Sequence, residues 1–279
     1  NFNRLFSMGG ALDNLSQSFQ LAQEMERYGL TESEFNDILD VKNPYTKYWN
    51  QLPVLGVMGV RTGVVDWVND SEKNIHAPWG WNGFNNNFFS KETGGISQYD
   101  FNVSFNIEDR VYLGATLGVY DVNYDRYTSY TENLNDDKGA GNGGYTLDNY
   151  YRLEGTGMDL KLGVIIRPIE SSPFRLGFAV HTPTWYDLRE SYNAALSSNI
   201  LACEAPYNQT LSDFLVTPEY DYLTYDYNLT TPWKFNISAG TTFAGAVAVG
   251  AEYEYQDYSS SKLKDVDGYE LGDQPSVEN

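Results

Sequence analysis

Between residues 158 and 186 the chain reads MDLKLGVIIRPIESSPFRLGFAVHTPTWY, and apolar and polar residues alternate one by one on either side of a proline-bounded turn. Met158, Leu160, Leu162, Val164 and Ile166 fall on one side of an extended chain. Asp159, Lys161, Gly163 and Arg167 fall on the other, with Ile165 as the exception. After the turn Leu176, Phe178 and Val180 share one face, and Arg175, Gly177, Ala179 and His181 the opposite one. Side chains of a strand point to alternate faces, so this pattern demands a β-hairpin with one apolar and one polar side. What the apolar side touches, core or lipid, decides what the chain is.

Two further hairpins repeat the pattern. Phe101, Val103, Phe105 and Ile107 lead through the turn IEDR into Val111, Leu113, Ala115, Leu117 and Val119. Trp233, Phe235, Ile237 and Ala239 lead through TFAG into Val247, Val249, Ala251, Tyr253 and Tyr255. The intervening connections, 132–144 and 194–216, read as long loops. Short turns at one end and long loops at the other are the mark of an outer-membrane barrel, with apolar residues outward and polar ones inward. Strand length agrees, and Tyr112, Tyr253, Tyr255, Trp185 and Tyr186 fall where aromatic girdles belong. A soluble sandwich does not sort its loops this way. The expected fold is all-β, a transmembrane antiparallel β-barrel.

The rest of the chain divides around these strands. Residues 1–96 read as a helical hairpin and an aromatic loop region, 97–262 as barrel strands, and 263–279 as a loop or tail. Leu12, Leu15, Phe19 and Ala22 recur at helical spacing. Gly29 suits a helix C-cap, and Thr31 with Glu34 makes a capping box before a second helix carrying Phe35, Ile38 and Leu39. Residues 52–68 fit either a strand or a short buried helix, and 69–96 read as loop.

Composition removes several functions. The net charge is −20 with a pI near 4.3, which excludes a nucleic-acid partner. Mean hydropathy is −0.48 and no run of apolar residues is long enough for a transmembrane helix. The single Cys203 and the separated His76 and His181 leave little material for disulfide, metal or triad chemistry. No nucleophile elbow, HExxH or P-loop is present, so no enzyme activity and no cofactor are expected. NDDKGAGNGG at 135–144 offers clustered oxygens without EF-hand spacing and reads as a plain loop.

Three segments carry a resemblance: NFNRLFSMGG at the start, GGISQYDFNVSFNIEDRVYLGATLGVYDVNYD, and GTGMDLKLGVIIRPIESSPFRLGFAVHTPTWYDL. Over residues 1 to about 260 the chain resembles the FadL/TodX family of outer-membrane hydrophobic-compound transporters, in the Bacteroidetes branch often labelled hemin receptor. That resemblance implies a fourteen-stranded barrel with an N-terminal hatch, helical extracellular loops that capture ligand, and lateral release through the wall. It also implies a bacterial outer-membrane location. Partners would be a hydrophobic small molecule, such as a long-chain fatty acid, and the lipid bilayer. The hatch's Asn-Pro-Ala segment and the last strands are not in this sequence, so an internal part of such a barrel is expected. No arrangement of Cys, His or Met marks an axial haem ligand.

Two groups of site residues follow. Leu15, Phe19, Phe35 and Leu39, with Trp79, Trp81, Phe88 and Phe89, are candidates for an apolar capture groove. Ordinary helix packing explains the helical members equally well. Lys161, Arg175, His181, Lys234, Glu252 and Glu254 are candidates for a polar lumen. The cations there could hold a ligand carboxylate, or be paired with Asp159, Glu252 and Glu254, since buried charges are normally paired. The competing function is a soluble or surface-exposed β-protein that binds glycans through Tyr, Trp and Asn.

Overall fold

The computed structural model describes residues 17–40, 47–48, 51–68, 74–76, 84–135, 141–200, 208–210, 223–244 and 246–270. Three helices come first: α1 (Gln17–Arg27), α2 (Glu32–Asp40) and α3 (Val54–Arg61). Two short strands, β1 (Asp66–Trp67) and β2 (Ile75–His76), pair with each other. Most of what remains is antiparallel sheet, with a single 3-10 turn described at Tyr258–Ser260. Its strands are β3 (Phe84–Ile107), β4 (Val111–Asn135), β5 (Gly141–Ile166), β6 (Arg175–His181), β7 (Trp185–Ser198), β8 (Asn208–Thr210), β9 (Leu223–Thr230), β10 (Lys234–Phe243), β11 (Val247–Gln256) and β12 (Lys262–Asp265). β3 pairs with β4 and β4 with β5; β5 then neighbours β6 and β7, which continue to β10–β11 and β9–β12. No pairing joins β3 to β11 or β12, so the sheet is open.

Several expectations are corrected. The segment 84–96 is strand, not loop, and its sequence FNNNFFSKETGGI carries no apolar alternation that would have marked it. The expected loop 132–144 is mostly strand, since β4 reaches Asn135 and β5 begins at Gly141. Residues 52–68 hold helix α3 followed by β1, and the expected tail opens with strand residues up to Asp265. The calcium-like oxygens of 136–140 lie outside the described residues.

The chain separates into two compact units. Residues 1–92, 126–151 and 192–223 form the first, and 93–125, 152–191 and 224–279 the second.

The first unit is built on helix ends the sequence specifies. Thr31 N–H donates to Glu34 Oε2 at 2.9 Å and Glu34 N–H donates back to Thr31 Oγ1 at 3.3 Å, closing the capping box. Gly29, at φ 71°, ends α1 in a left-handed turn that only glycine adopts without strain. Its N–H donates to Glu26 O and that of Leu30 to Met25 O, the paired bonds of a Schellman cap. Leu30 and Met25 are both buried, which supplies the accompanying apolar contact. α1 buries Ser18, Leu21, Ala22 and Met25; of the expected stripe Ala22 is buried, Phe19 is half-buried, and Leu12 and Leu15 lie outside the described residues. Met25 points at α3, where a Cβ on Gly56 would stand 2.2 Å from its Sδ. Leu55, Val57, Met58, Val60, Tyr145, Tyr192 and Leu196 complete this core.

The second unit inverts that arrangement. Turns are tight: Arg110 N–H donates to Ile107 O across Glu108 and Asp109, both at positive φ, and Ala246 N–H to Phe243 O across Ala244. These are the backbone signs of two-residue hairpin turns. Registers place Val180 beside Leu162 and Phe235, and Phe178 beside Val164 and Ile237. Phe235 and Ile237 pair in turn with Tyr255 and Tyr253. The strand runs break at 182–184, 231–233 and 257–261, next to one another in the sheet. Pro183 and Pro232 remove two ladder donors there. Thr184 N–H is instead satisfied by Thr231 Oγ1 at 2.8 Å.

Candidate functional site

In the second unit, alternation sends most large aliphatic and aromatic residues of the facing strands to one side, with Ile165, Tyr112, Tyr120 and Tyr186 on the other. Phe101 is 66 % exposed, Phe105 62 %, Ile237 54 % and Tyr253 67 %. Leu113, Leu117, Leu160, Leu162 and Phe178 stand beside them, also exposed. A shallow concavity of about 680 Å³ opens on this face, lined by Phe105, Leu113, Leu162, Phe178, Phe235 and Ile237 among others. Trp185, Trp233, Tyr253 and Tyr255 provide its exposed aromatic margin, and Trp233 stacks on Phe235 at 6.3 Å. Tyr112 and Tyr186 do not belong to that margin. Tyr112 lies under the Arg175 guanidinium at 5.5 Å and Tyr186 packs against Tyr120 at 5.7 Å, both on the polar side.

The polar side collects the charges. Strand registers set Lys161 opposite His181 and His181 opposite Lys234, so these three candidates stand in one row across β5, β6 and β10. Both lysines are paired. Lys161 Nζ lies 3.3 Å from Asp100 Oδ1 and 3.7 Å from Asp159 Oδ1. Lys234 Nζ lies 3.4 Å from Glu254 Oε1. Asn236 Nδ2 bridges the acids, donating to Glu252 at 2.7 Å and to Glu254 at 3.1 Å. Asp159, 5 % exposed, accepts from Tyr120 Oη at 2.7 Å and from Thr184 Oγ1 at 3.5 Å, all on its Oδ2. Asp159 Oδ1 accepts no hydrogen bond.

Gly118 makes this cluster possible. A Cβ there would stand 2.4 Å from Asp159 Oδ1 and 3.2 Å from Asp100 Oδ1, so any larger residue would collide with the two carboxylates. Arg175 sits apart, opposite Gly240 and six residues along β6 from His181, roughly 20 Å at strand rise. Asp100, Tyr120, Thr184 and Asn236 were not among the residues expected from sequence. Asp100 alternates in phase with Asn102 and Ser104 and could have been found by that phase. Thr184 could not, because the Pro183 break shifts its phase.

The described members of the expected capture groove lie in different surroundings. Phe35 is 6 % exposed and packs on Trp67 at 6.0 Å, and Leu39 leans on the same core. Phe19 is half-buried on α1. Phe88 and Phe89 are exposed on β3. Leu15, Trp79 and Trp81 lie outside the described residues. Phe89 instead begins a row of rings: it meets Tyr127 at 6.1 Å, and Tyr127 meets Tyr150 at 5.0 Å.

Sequence reading also missed Glu132, buried in the first unit at 0 % exposure. Its Oε2 accepts from Tyr130 Oη at 2.7 Å, from Tyr145 Oη at 2.8 Å and from Gln17 N–H at 3.3 Å. Ser18 N–H donates to Tyr145 Oη at 2.9 Å. A carboxylate and a phenol brought in from β4 and β5 thus satisfy the first free N–H groups of α1, where negative charge also suits the helix dipole. Burial and then the Glu132 charge push the Tyr145 phenol well up from its ordinary value. No local signal marks such a cap, because donor and acceptor are more than a hundred residues apart in the chain.

Among the described residues no group of His, Cys, Asp and Glu is arranged to hold a metal ion. No family model matches the chain, and no characterised protein matches it in sequence.

Proposed function

We propose that the second unit is part of the wall of an outer-membrane β-barrel, and that the protein passes hydrophobic molecules across that membrane without a cofactor. The observation that carries this reading is the inverted partition of one sheet. Its large apolar side chains stand exposed side by side, while its charged residues pair with one another on the opposite face. In water an exposed apolar surface of this breadth is a liability. In lipid it is the required outer surface, and the paired charges line a polar interior. The resemblance to the FadL/TodX transporters in the segments around 95–125 and 155–188 supports the same reading.

The test is fractionation of cells making the full-length protein, followed by electrophoresis of heated and unheated samples. Recovery in the outer membrane with a compact unheated band is expected. Recovery as a detergent-free soluble protein would overturn the reading. The exposed ring row Phe89–Tyr127–Tyr150 favours a second reading, glycan contact by a surface protein. That outcome would then be followed with sugar arrays.

A further inference from the structure

The apolar face of the second unit changes character part-way along its strands. Near the short turns it presents Phe101, Leu117, Met158, Leu162, Phe235 and Ile237, all exposed. Strand phase keeps every second residue on that face, so the residues that follow can be named. Beyond Val119 and Met158 come Asp121 and Thr156, then Asn123 and Glu154. The next pair is Asp125 and Arg152, joined at 2.7 Å. Beyond Trp185 come Asp187 and then Arg189, which holds Asp226 at 2.6 Å. Asp121, Asn123, Thr156 and Asp187 are exposed like the apolar residues, so a difference in burial does not explain the change. The strand breaks at 182–184, 231–233 and 257–261 fall at this transition, and the exposed Trp185 and Trp233 mark it.

The apolar part has nearly one length in every strand. It covers 99–107, 111–119, 158–166 and 247–255, nine residues each, with ten in 176–185 and eleven in 233–243. That length is kept although the strand ends are staggered. The row of Lys161, His181 and Lys234 stands five residues from Ile166 but nine from Phe243. The other limit shifts in the same sense: Met158 lies three residues beyond the row and Trp233 only one. A transmembrane strand, tilted as in a barrel, needs about 9–11 residues to cross the hydrocarbon. Aromatic side chains gather where hydrocarbon meets water. A face lying wholly in water has nothing to fix such a length, and a protein partner has no need of an equal one in each strand.

We infer that the partner of this face is bilayer hydrocarbon over that band alone, and that the hydrocarbon ends between Met158 and Thr156 and between Trp185 and Asp187. Past that line the same sheet face, with Asn123, Arg152, Arg189 and Asp226, stands in water outside the membrane. This rests on the wall reading above and sets its depth.

The experiment uses the full-length protein in vesicles of phosphatidylcholine and phosphatidylglycerol, with Cys203→Ser removing the native thiol. Single cysteines carrying a nitroxide are placed at six exposed positions, where a label displaces no packed neighbour. Leu117→Cys, Leu162→Cys and Ile237→Cys sample the band. Asn123→Cys, Thr156→Cys and Asp187→Cys sample the face beyond it. Collisions of each label with oxygen, which concentrates in hydrocarbon, and with a water-soluble nickel chelate are read by electron paramagnetic resonance. The first three labels are expected to lose nickel collisions and keep oxygen collisions. The last three are expected to keep nickel collisions. Loss of nickel collisions at all six would overturn the boundary and leave the wall reading standing. Loss of both kinds at the first three would mean that protein covers the band, and would overturn this inference and the wall reading together. So would free access of nickel to all six, or failure of the protein to enter the vesicles.

Discussion

Met25 and Phe101 are both large apolar residues, yet the first is wholly buried and the second is 66 % exposed. The contrast holds across the two units to which they belong. In the first, Leu21, Met25, Ile38, Met58 and Leu196 close a core from which water is excluded. In the second, Phe101, Phe105, Leu162, Phe178 and Ile237 stand outward, and it is Asp159 that is hidden. Helical spacing sorts the first set, four of whose five residues stand on α1, α2 and α3, and two-residue alternation sorts the second; either period only assigns side chains to faces. Which face is the inside depends on the solvent each meets. On the reading proposed above, a single chain carries two solvation rules, and substitutions can tell them apart.

The largest effect belongs to the first unit. Met25→Ala removes a fully buried side chain that is packed on Gly56 and should destabilise that unit by about 2–5 kcal/mol. Hydrogen exchange of α1 amides would report it, and unchanged protection would mean the core is not the unit's main support. Next comes a charge on the exposed face of the second unit. Phe101→Arg should cost about 2–4 kcal/mol if the face lies in lipid, read from reversible folding into vesicles. In a water-soluble protein the same change at an exposed position should alter stability by no more than about 0.5 kcal/mol, and that result would break the comparison.

Glu132→Ala probes how the helices are anchored. It leaves the Tyr130 and Tyr145 hydroxyls without their shared acceptor and uncaps Gln17 N–H. A loss of about 1–3 kcal/mol is expected for leaving buried donors unsatisfied, with α1 amides exchanging faster than those of α3. Equal acceleration in both helices would show that Glu132 supports the core generally rather than the start of α1.

How much of this was legible follows from where information is local. The hairpins at 101–119, 158–180 and 233–255 were readable because alternation is written residue by residue. So were Gly29 and the Thr31–Glu34 box, whose bonds close within a few positions. Strand 84–96 was not, because its Asn- and Gly-rich run carries no apolar alternation and reads as loop. The extension of β4 and β5 into 132–144 was hidden by Asn, Asp and Gly, which usually signal turns. Of the polar face, the phase of Lys161, His181, Lys234 and Glu254 could be read, and Asp159 and Glu254 were among the partners expected for the lysines, but Asp100 was not. The Lys161–Asp100 contact joins residues sixty-one apart, and only the register brings them together. The helical face was legible only in part. Periodicity showed that Phe35 and Leu39 share a face, but said nothing of what covers it, and a core covers it.

The smallest effect is a titration confined to the first unit. Tyr48 is 5 % exposed and donates to Asp37 Oδ2 at 2.7 Å, and Lys47 Nζ donates to the same oxygen at 2.7 Å. Burial first, and then the Asp37 carboxylate, pushes the Tyr48 phenol from 10.0 up to about 12. The hydrogen bond from Lys47, and then that from Tyr48, pulls Asp37 below its ordinary 3.8. The two shifts have opposite consequences. A raised phenol stabilises the folded form fully below pH 10, and that contribution is lost as pH climbs from there through about 12. A lowered carboxyl contributes above 3.8 and loses its contribution as pH falls through the lower folded value. Tyr48→Phe should therefore flatten the alkaline limb of a stability profile of the α1–α3 amides. It should leave the acid limb in place, weakened only by the lost hydrogen bond to Asp37. An alkaline limb unchanged by Tyr48→Phe would assign that dependence to Tyr145 and Tyr192, whose phenols burial also raises.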